Sequence, residues 1–125
     1  MDKKYVLTAL GYALLGMLLG IYMAKTANNI QHVTHAHILL IGFVVSFIYG
    51  VIYKLWLKGS FGRMGQVQYW AHQAGTLIIV VGLFLLYGGF VAESVVGPIL
   101  GIGSVAVIVA MLLMKVMFIR SIRAS

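Results

Sequence analysis

The chain has no cysteine, only one proline and only two acidic residues among its 125 positions. The absence of cysteine excludes disulfides, covalently attached c-type haem, iron–sulfur clusters and thiolate metal sites. Any metal or haem iron must therefore be held by histidine, methionine or oxygen ligands. Charged residues make up 9% of the chain, whereas a soluble domain carries about 25%, so the composition excludes an ordinary soluble protein.

Most of the chain consists of long hydrophobic runs. Hydrophobic residues make up 62% of the chain, and its mean hydropathy is +1.06. Four apolar runs, at about 5–24, 33–56, 67–90 and 95–119, each reach the roughly 20 residues that cross a bilayer as a helix. Because their connections are short, we expect one transmembrane domain over 1–125, an all-α, four-helix up-down-up-down bundle. Little chain remains outside the membrane, so no enzymatic activity is expected from the chain on its own.

The basic residues are distributed unevenly about these runs. Eight lie before the first run, between the second and third, or towards the end of the fourth, while Lys25 and Glu93 cancel on the opposite side. Lysine and arginine accumulate on the cytoplasmic side of membranes, so both termini are predicted to be cytoplasmic, in a bacterial inner membrane. The net charge of +7 then reflects topology and contact with membrane lipid, and nucleic acid binding is not expected.

Small residues recur at a spacing of about four in three of the runs. Such stripes let helix backbones approach closely in a bilayer, and those left over can serve contacts between protomers, so a homo-oligomer is expected. The stripes are Ala9, Ala13, Gly16 and Gly20 in the first run, Gly42, Ser46 and Gly50 in the second, and Gly97 and Gly101, then Ala106 and Ala110, in the fourth.

Two histidines, His35 and His37, enter the second run. Imidazoles in a bilayer are costly and indicate function, and an axial ligand to haem iron is the expected one. Successive helical residues turn by about 100°, so the two rings point about 200° apart and cannot bind one iron. His35 shares a face with Gly42 and Ser46, where a flat porphyrin could pack, and is the preferred ligand. His37 is a candidate for a second site or for the haem of a neighbouring protomer; interhelical or interfacial hydrogen bonding is the alternative for both.

The other two histidines are weaker candidates. His32 lies in the first connection and is interpreted as a loop residue. His72, near the start of the third run, is expected about 15–20 Å from His35 in depth, so it is interpreted as an interfacial residue or as a ligand at a second site. No second axial ligand is evident at the depth of His35, which leaves a neighbouring protomer, a methionine, water or an open position.

Two stretches resemble the early transmembrane helices of haem–copper oxidase subunit I. They are Thr34-His35-Ala36-His37-Ile38-Leu39 and Arg63-Met64-Gly65-Gln66-Val67-Gln68-Tyr69-Trp70. The resemblance covers about half of the chain and is strongest to small four-helix relatives of subunit I; it implies that His35 ligates a low-spin haem. The later helices that carry the copper ligands of those oxidases have no counterpart, so it implies no oxygen-reducing centre and no role for His72.

The sequence therefore predicts a haem b-binding membrane protein that transfers electrons to a respiratory-chain partner or holds haem. Candidate partners for the haem propionates and ring are Lys25, Asn28, Asn29, Gln31, Phe43 and Tyr49. One alternative is a copper- or zinc-handling protein that uses His32, His35 and His37, and another is a cofactor-free assembly partner of a respiratory complex. A small transporter is disfavoured because the first run carries no carboxylate.

Overall fold

Four helices and no strand make up the part of the chain that the structure, a computed structural model, describes: residues 1–57 and 61–124. The helices are α1 (Asp2–Thr26), α2 (His32–Leu55), α3 (Gly62–Tyr87) and α4 (Glu93–Ala124). Each is long and apolar enough to cross a membrane, which indicates an integral membrane protein and confirms the all-helical class. Lys58, one of the basic residues between the second and third runs, lies outside the described residues.

Three of the four helices begin two or more residues before the apolar runs that predicted them, although α3 ends at Tyr87, before the end of its run. Helix α3 begins at Gly62 rather than near residue 67, and α1 begins at Asp2 rather than near residue 5. A hydrophobic run marks only the part of a helix that lies in hydrocarbon. The helical hydrogen bonds continue into flanking polar residues such as Arg63, so hydropathy underestimates helix length.

Consecutive helices contact one another at several points along their lengths. On α1 and α2, Gly50 lies against Val6 near one end, and Gly20 lies against His35 near the other. On α2 and α3, Ser46 contacts His72 and Tyr53 contacts Gly65. On α3 and α4, Gly75 lies against Gly103, and Gly82 lies against Leu100 and Val96. Glycines at these crossings let the backbones approach closely, as membrane helices require.

Helix α2 contains a π-helical segment, Ile38–Val45. Its hydrogen bonds span five residues instead of four, and such segments are frequent at functional sites. The Oγ of Ser46 also donates to the carbonyl of Ile41, five residues earlier, at 3.5 Å. The wider turns change the rotation per residue. The regular α-helical spacing therefore does not predict which residues share a face between His35 and Ser46.

Several polar side chains are buried inside the bundle, among apolar ones, while large apolar side chains cover its outside. Its fully buried side chains include Tyr5, Tyr49, Gln68 and His72, whereas Leu7 is 74% exposed. This distribution suits a lipid solvent, in which polar groups face the bundle interior. The centre is an aromatic cluster in which the ring of Tyr5 lies 4.8–5.7 Å, between centroids, from the rings of Tyr49, Tyr53 and Tyr69.

The end of α1 yields a stability prediction. Ala27 adopts a left-handed conformation, φ 52° and ψ 34°, and its N–H donates to the carbonyl of Ala24. A residue with a Cβ is strained there by roughly 1 kcal/mol, so we expect Ala27→Gly to raise the thermal midpoint in detergent. Ala24→Gly, inside the same helix, is the matched control and should lower it. Equal losses in the two variants would contradict the assigned helix end.

Candidate functional site

His35 lies half-buried at the contact between α1 and α2. Its Nδ1 is 2.9 Å from the carbonyl oxygen of Gly16, and a carbonyl only accepts, so Nδ1 carries the proton and donates. The ring packs against Gly20, where an added Cβ would lie 2.9 Å from Cε1. No hydrogen bond from the described residues reaches Nε2, whose lone pair is free. Metal-binding histidines are commonly held in this tautomer.

His37 has the same tautomer in a different environment. Its Nδ1 donates to the carbonyl of Val33 in its own helix at 2.9 Å, and Nε2 has no partner within the described ranges. The ring lines a groove of about 380 Å³ between α2, α3 and α4, a volume within the usual range of small-molecule sites. The other lining residues are apolar except for Ser104: Ile41, Ile79, Leu83, Leu100, Ser104, Val107 and Ile108.

The three residues predicted to share a haem-facing side of α2, His35, Gly42 and Ser46, do not line one space. Gly42 lies against the ring of Tyr12, whose Cγ would be 2.7 Å from an added Cβ. His35 also faces α1, but Ser46 bonds to His72 of α3, and His37 faces the groove. The expected face of His35, Gly42 and Ser46 assumed a regular helix, and the π-helical segment breaks that regularity.

The three histidines at the start of α2 point to separate places. His32 is exposed, and its Nδ1 lies 3.0 Å from the carbonyl of Asn29, whereas the rings of His35 and His37 bind Gly16 and Val33. Within residues 1–57 and 61–124, no group of three or more histidines and carboxylates is placed to hold a metal ion. The geometry therefore does not favour the copper- or zinc-handling alternative.

His72 lies in the core rather than at an interface. Its side chain has 0% exposure, its Nε2 is 2.9 Å from the Oγ of Ser46, and its ring is 5.0 Å from that of Tyr49. Ser46 follows His35 by eleven residues, or about 15 Å of helix, so His72 and His35 are far apart along the bundle. The missed signal is the spacing of Gln68, His72 and Thr76, which places three polar residues on one face of α3.

Gln68 is the centre of a buried hydrogen-bond network. Its Oε1 accepts from the hydroxyl of Tyr5 at 2.6 Å and from that of Tyr53 at 3.3 Å. Its Nε2 donates to the carbonyl of Ala110 at 3.3 Å. Three helices are thus linked to α3 through one amide, as expected where polar groups must be satisfied inside the protein.

The candidate propionate and ring partners are likewise dispersed. Lys25, Asn28 and Asn29 are exposed near the end of α1. Gln31 is buried instead, with its amide donating to the carbonyl of Phe84 and accepting from Thr34. Of the two predicted ring contacts, Phe43 packs on Phe47 and Tyr49 on His72.

No protein-family model, curated protein or solved structure matches this chain. Two features of the structure indicate a function. The first is the pair of imidazoles with a free Nε2 on α2, one of them in an apolar groove. The second is a separate polar core around Gln68 and His72.

Proposed function

We propose that this is a haem b-binding integral membrane protein in which α2 supplies an axial imidazole, for electron transfer or haem holding. One observation carries the proposal: His37 offers an unprotonated Nε2 at the edge of an apolar groove of about 380 Å³. Haem presents an apolar macrocycle and an iron that binds imidazole. The donor fits the iron, and the apolar lining fits the macrocycle.

The groove favours His37 as the ligand, whereas the resemblance to haem–copper oxidase subunit I implies His35. The His35 ring is enclosed between α1 and α2 by contacts with Gly16 and Gly20. A ligand at His37 needs no separation of these helices, since the groove already borders that ring. We therefore propose His37 as the axial ligand, and the experiment below tests His35 against it.

When bound, haem would supply one-electron redox chemistry, and the chain would set its environment. His37 would hold the iron, with Nδ1 anchored on Val33, while Ile41 and Leu83 exclude water from one face of the site. No other residue lining the groove carries a nitrogen or sulfur donor. Any further ligand would have to be water or a side chain from outside this groove, such as one from a second copy of the chain, which is consistent with a homo-oligomer.

The membrane orientation is part of the proposal. We place both termini on the cytoplasmic side of a bacterial inner membrane, in an up-down-up-down bundle with a respiratory-chain redox partner. The contacts between consecutive helices at several points along their lengths support the topology, and the concentration of lysine and arginine on one side supports the orientation.

The test is a pair of absorption spectra, oxidised and dithionite-reduced, with a pyridine haemochrome assay on detergent-purified protein. The wild type is expected to show a Soret band, and His37→Ala to lose haem occupancy at least about tenfold, because axial ligation anchors the iron. His32→Ala, which removes an exposed imidazole three residues before His35, is the matched control and should retain haem.

Two other outcomes of this test would overturn part or all of the proposal. Loss of haem only in His35→Ala would overturn the assignment to His37 and support the ligand that the oxidase resemblance implies. No Soret band in the wild type, after expression with sufficient haem, would overturn haem binding and favour a cofactor-free assembly partner.

A further inference from the structure

Helix α3 carries three fully buried polar side chains, Gln68, His72 and Thr76, at a spacing of four residues. This spacing stacks them on one face over about 12 Å of helix. Each has 0% exposure. Polar groups at membrane depth are costly and indicate functional positions, and neither of the histidines proposed for haem belongs to this stack.

The stack begins beside a cavity of about 300 Å³ at the end of the bundle that contains the N-terminus. This basal cavity is lined by Met1, Asp2, Tyr53, Phe61, Gly65 and Gln66, among others. The hydroxyl of Tyr53 lies 3.5 Å from the carbonyl of Gly65 and 3.3 Å from Oε1 of Gln68. Hydrogen-bonding atoms therefore continue from the cavity wall into the core.

One turn further, His72 presents a basic nitrogen without a partner. We assign the hydroxyl proton of Ser46 to its contact with the carbonyl of Ile41, 3.5 Å away, so that its oxygen accepts from Nε2–H of His72 at 2.9 Å. Nδ1 then carries a lone pair, and it is buried with no hydrogen-bond partner among the described residues. The titratable groups in ring contact with this imidazole are the phenols of Tyr5 and Tyr49.

Thr76, one turn beyond His72, has a buried hydroxyl that is also without a partner in the described part of the chain. Both atoms are of the kind that water satisfies when it reaches them, by donating to Nδ1 and by accepting from the threonine. The buried residues next past Thr76 are apolar: Ile79, Val80, Leu83 and, from α2, Ile38. Beyond this apolar layer, Gln31 and Thr34 are buried and bond to each other and to Phe84. The polar stack therefore ends inside the membrane.

We propose that this stack is the lining of a water-accessible half-channel, which opens at the basal cavity, ends at His72 and Thr76, and admits water and protons to the imidazole. A proton delivered by water binds Nδ1 to give an imidazolium with two N–H groups, and it leaves by the same route. The closed apolar end prevents leakage across the membrane. The half-channel does not depend on haem binding.

Because the wild type has no cysteine, single thiols test this access directly. Membrane vesicles carrying Thr76→Cys are treated with Ag⁺, quenched, denatured and labelled with a maleimide dye, and the unlabelled fraction reports the access of Ag⁺. Val80→Cys, one turn into the apolar layer, and Leu77→Cys, on the exposed lipid-facing side, are the matched controls. Ser46→Cys is a second, nearly isosteric probe of the polar stack.

We expect Thr76→Cys and Ser46→Cys to react at least about tenfold faster than either control, because thiolates form only where water reaches. The rate should also be higher when Ag⁺ is added on the side of the membrane where Met1 lies. Equal rates in all four variants, or no reaction at Thr76→Cys and Ser46→Cys in protein of native helicity, would overturn the half-channel. Neither result bears on haem occupancy, so the two proposals fail separately.

Discussion

Gly75→Ala is expected to destabilise the protein by about 1–3 kcal/mol, the usual cost of overpacking a filled contact. A Cβ at position 75 would lie 2.7 Å from the carbonyl oxygen of Gly103, 2.9 Å from a methyl of Val107 and 3.0 Å from the Cβ of Ala106. The first of these is a backbone atom, so relief requires α4 to move away from α3. Other packing between the two helices, such as that of Gly82 with Leu100, would be lost with that movement.

Gly101→Ala is the matched control, since no atom lies within 4 Å of an added Cβ at that position. There the substitution is expected to be neutral or to stabilise α4 by up to about 1 kcal/mol, because alanine favours the helix. Equilibrium unfolding in mixed micelles, followed by circular dichroism, measures both. If Gly75→Ala is as stable as Gly101→Ala, the close contact of α3 with α4 is wrong.

This pair of glycines also shows what the sequence could and could not predict. Hydropathy alone was sufficient for the number and type of helices, because membrane length is encoded in the apolar runs. Small-residue spacing identified the packed face of α4 only in part: Ala106 lies against Gly75 and Ala110 is fully buried, whereas Gly97 and Gly101 face open space. A stripe shows that one side of a helix is small, but which side meets a neighbour depends on every other helix face in the bundle.

How far the candidate site could be predicted from the sequence was limited by a different physical effect. That His35 and His37 point apart followed from helical rotation alone, and their rings do bind different carbonyls. Which of them borders a groove depends on where α4 lies and on the π-helical segment after His37, neither of which is visible in hydropathy. The burial of His72 was missed because a polar residue near the end of a run is more often interfacial.

Gln68→Leu is expected to cost about 1–3 kcal/mol, the penalty of leaving a buried hydroxyl without a partner. Leucine has a similar size but offers no acceptor, so the hydroxyl of Tyr5, in a side chain with 0% exposure, loses its bond of 2.6 Å. Tyr53 is less affected because its hydroxyl also lies 3.5 Å from the carbonyl of Gly65. Gln66→Leu, at an exposed position on the same helix, is the control and should change stability by less than about 0.5 kcal/mol.

The double variant Tyr5→Phe/Gln68→Leu separates the hydrogen bond from packing. Removing both polar partners leaves no orphaned hydroxyl, so the double variant is expected to be more stable than the sum of the single losses predicts, by roughly 0.5–3 kcal/mol. The four proteins are compared by unfolding in the same mixed micelles. Strict additivity would mean that the bond between Tyr5 and Gln68 contributes nothing. In that case the polar core would be held together by the packing of Tyr5 on Tyr49, Tyr53 and Tyr69.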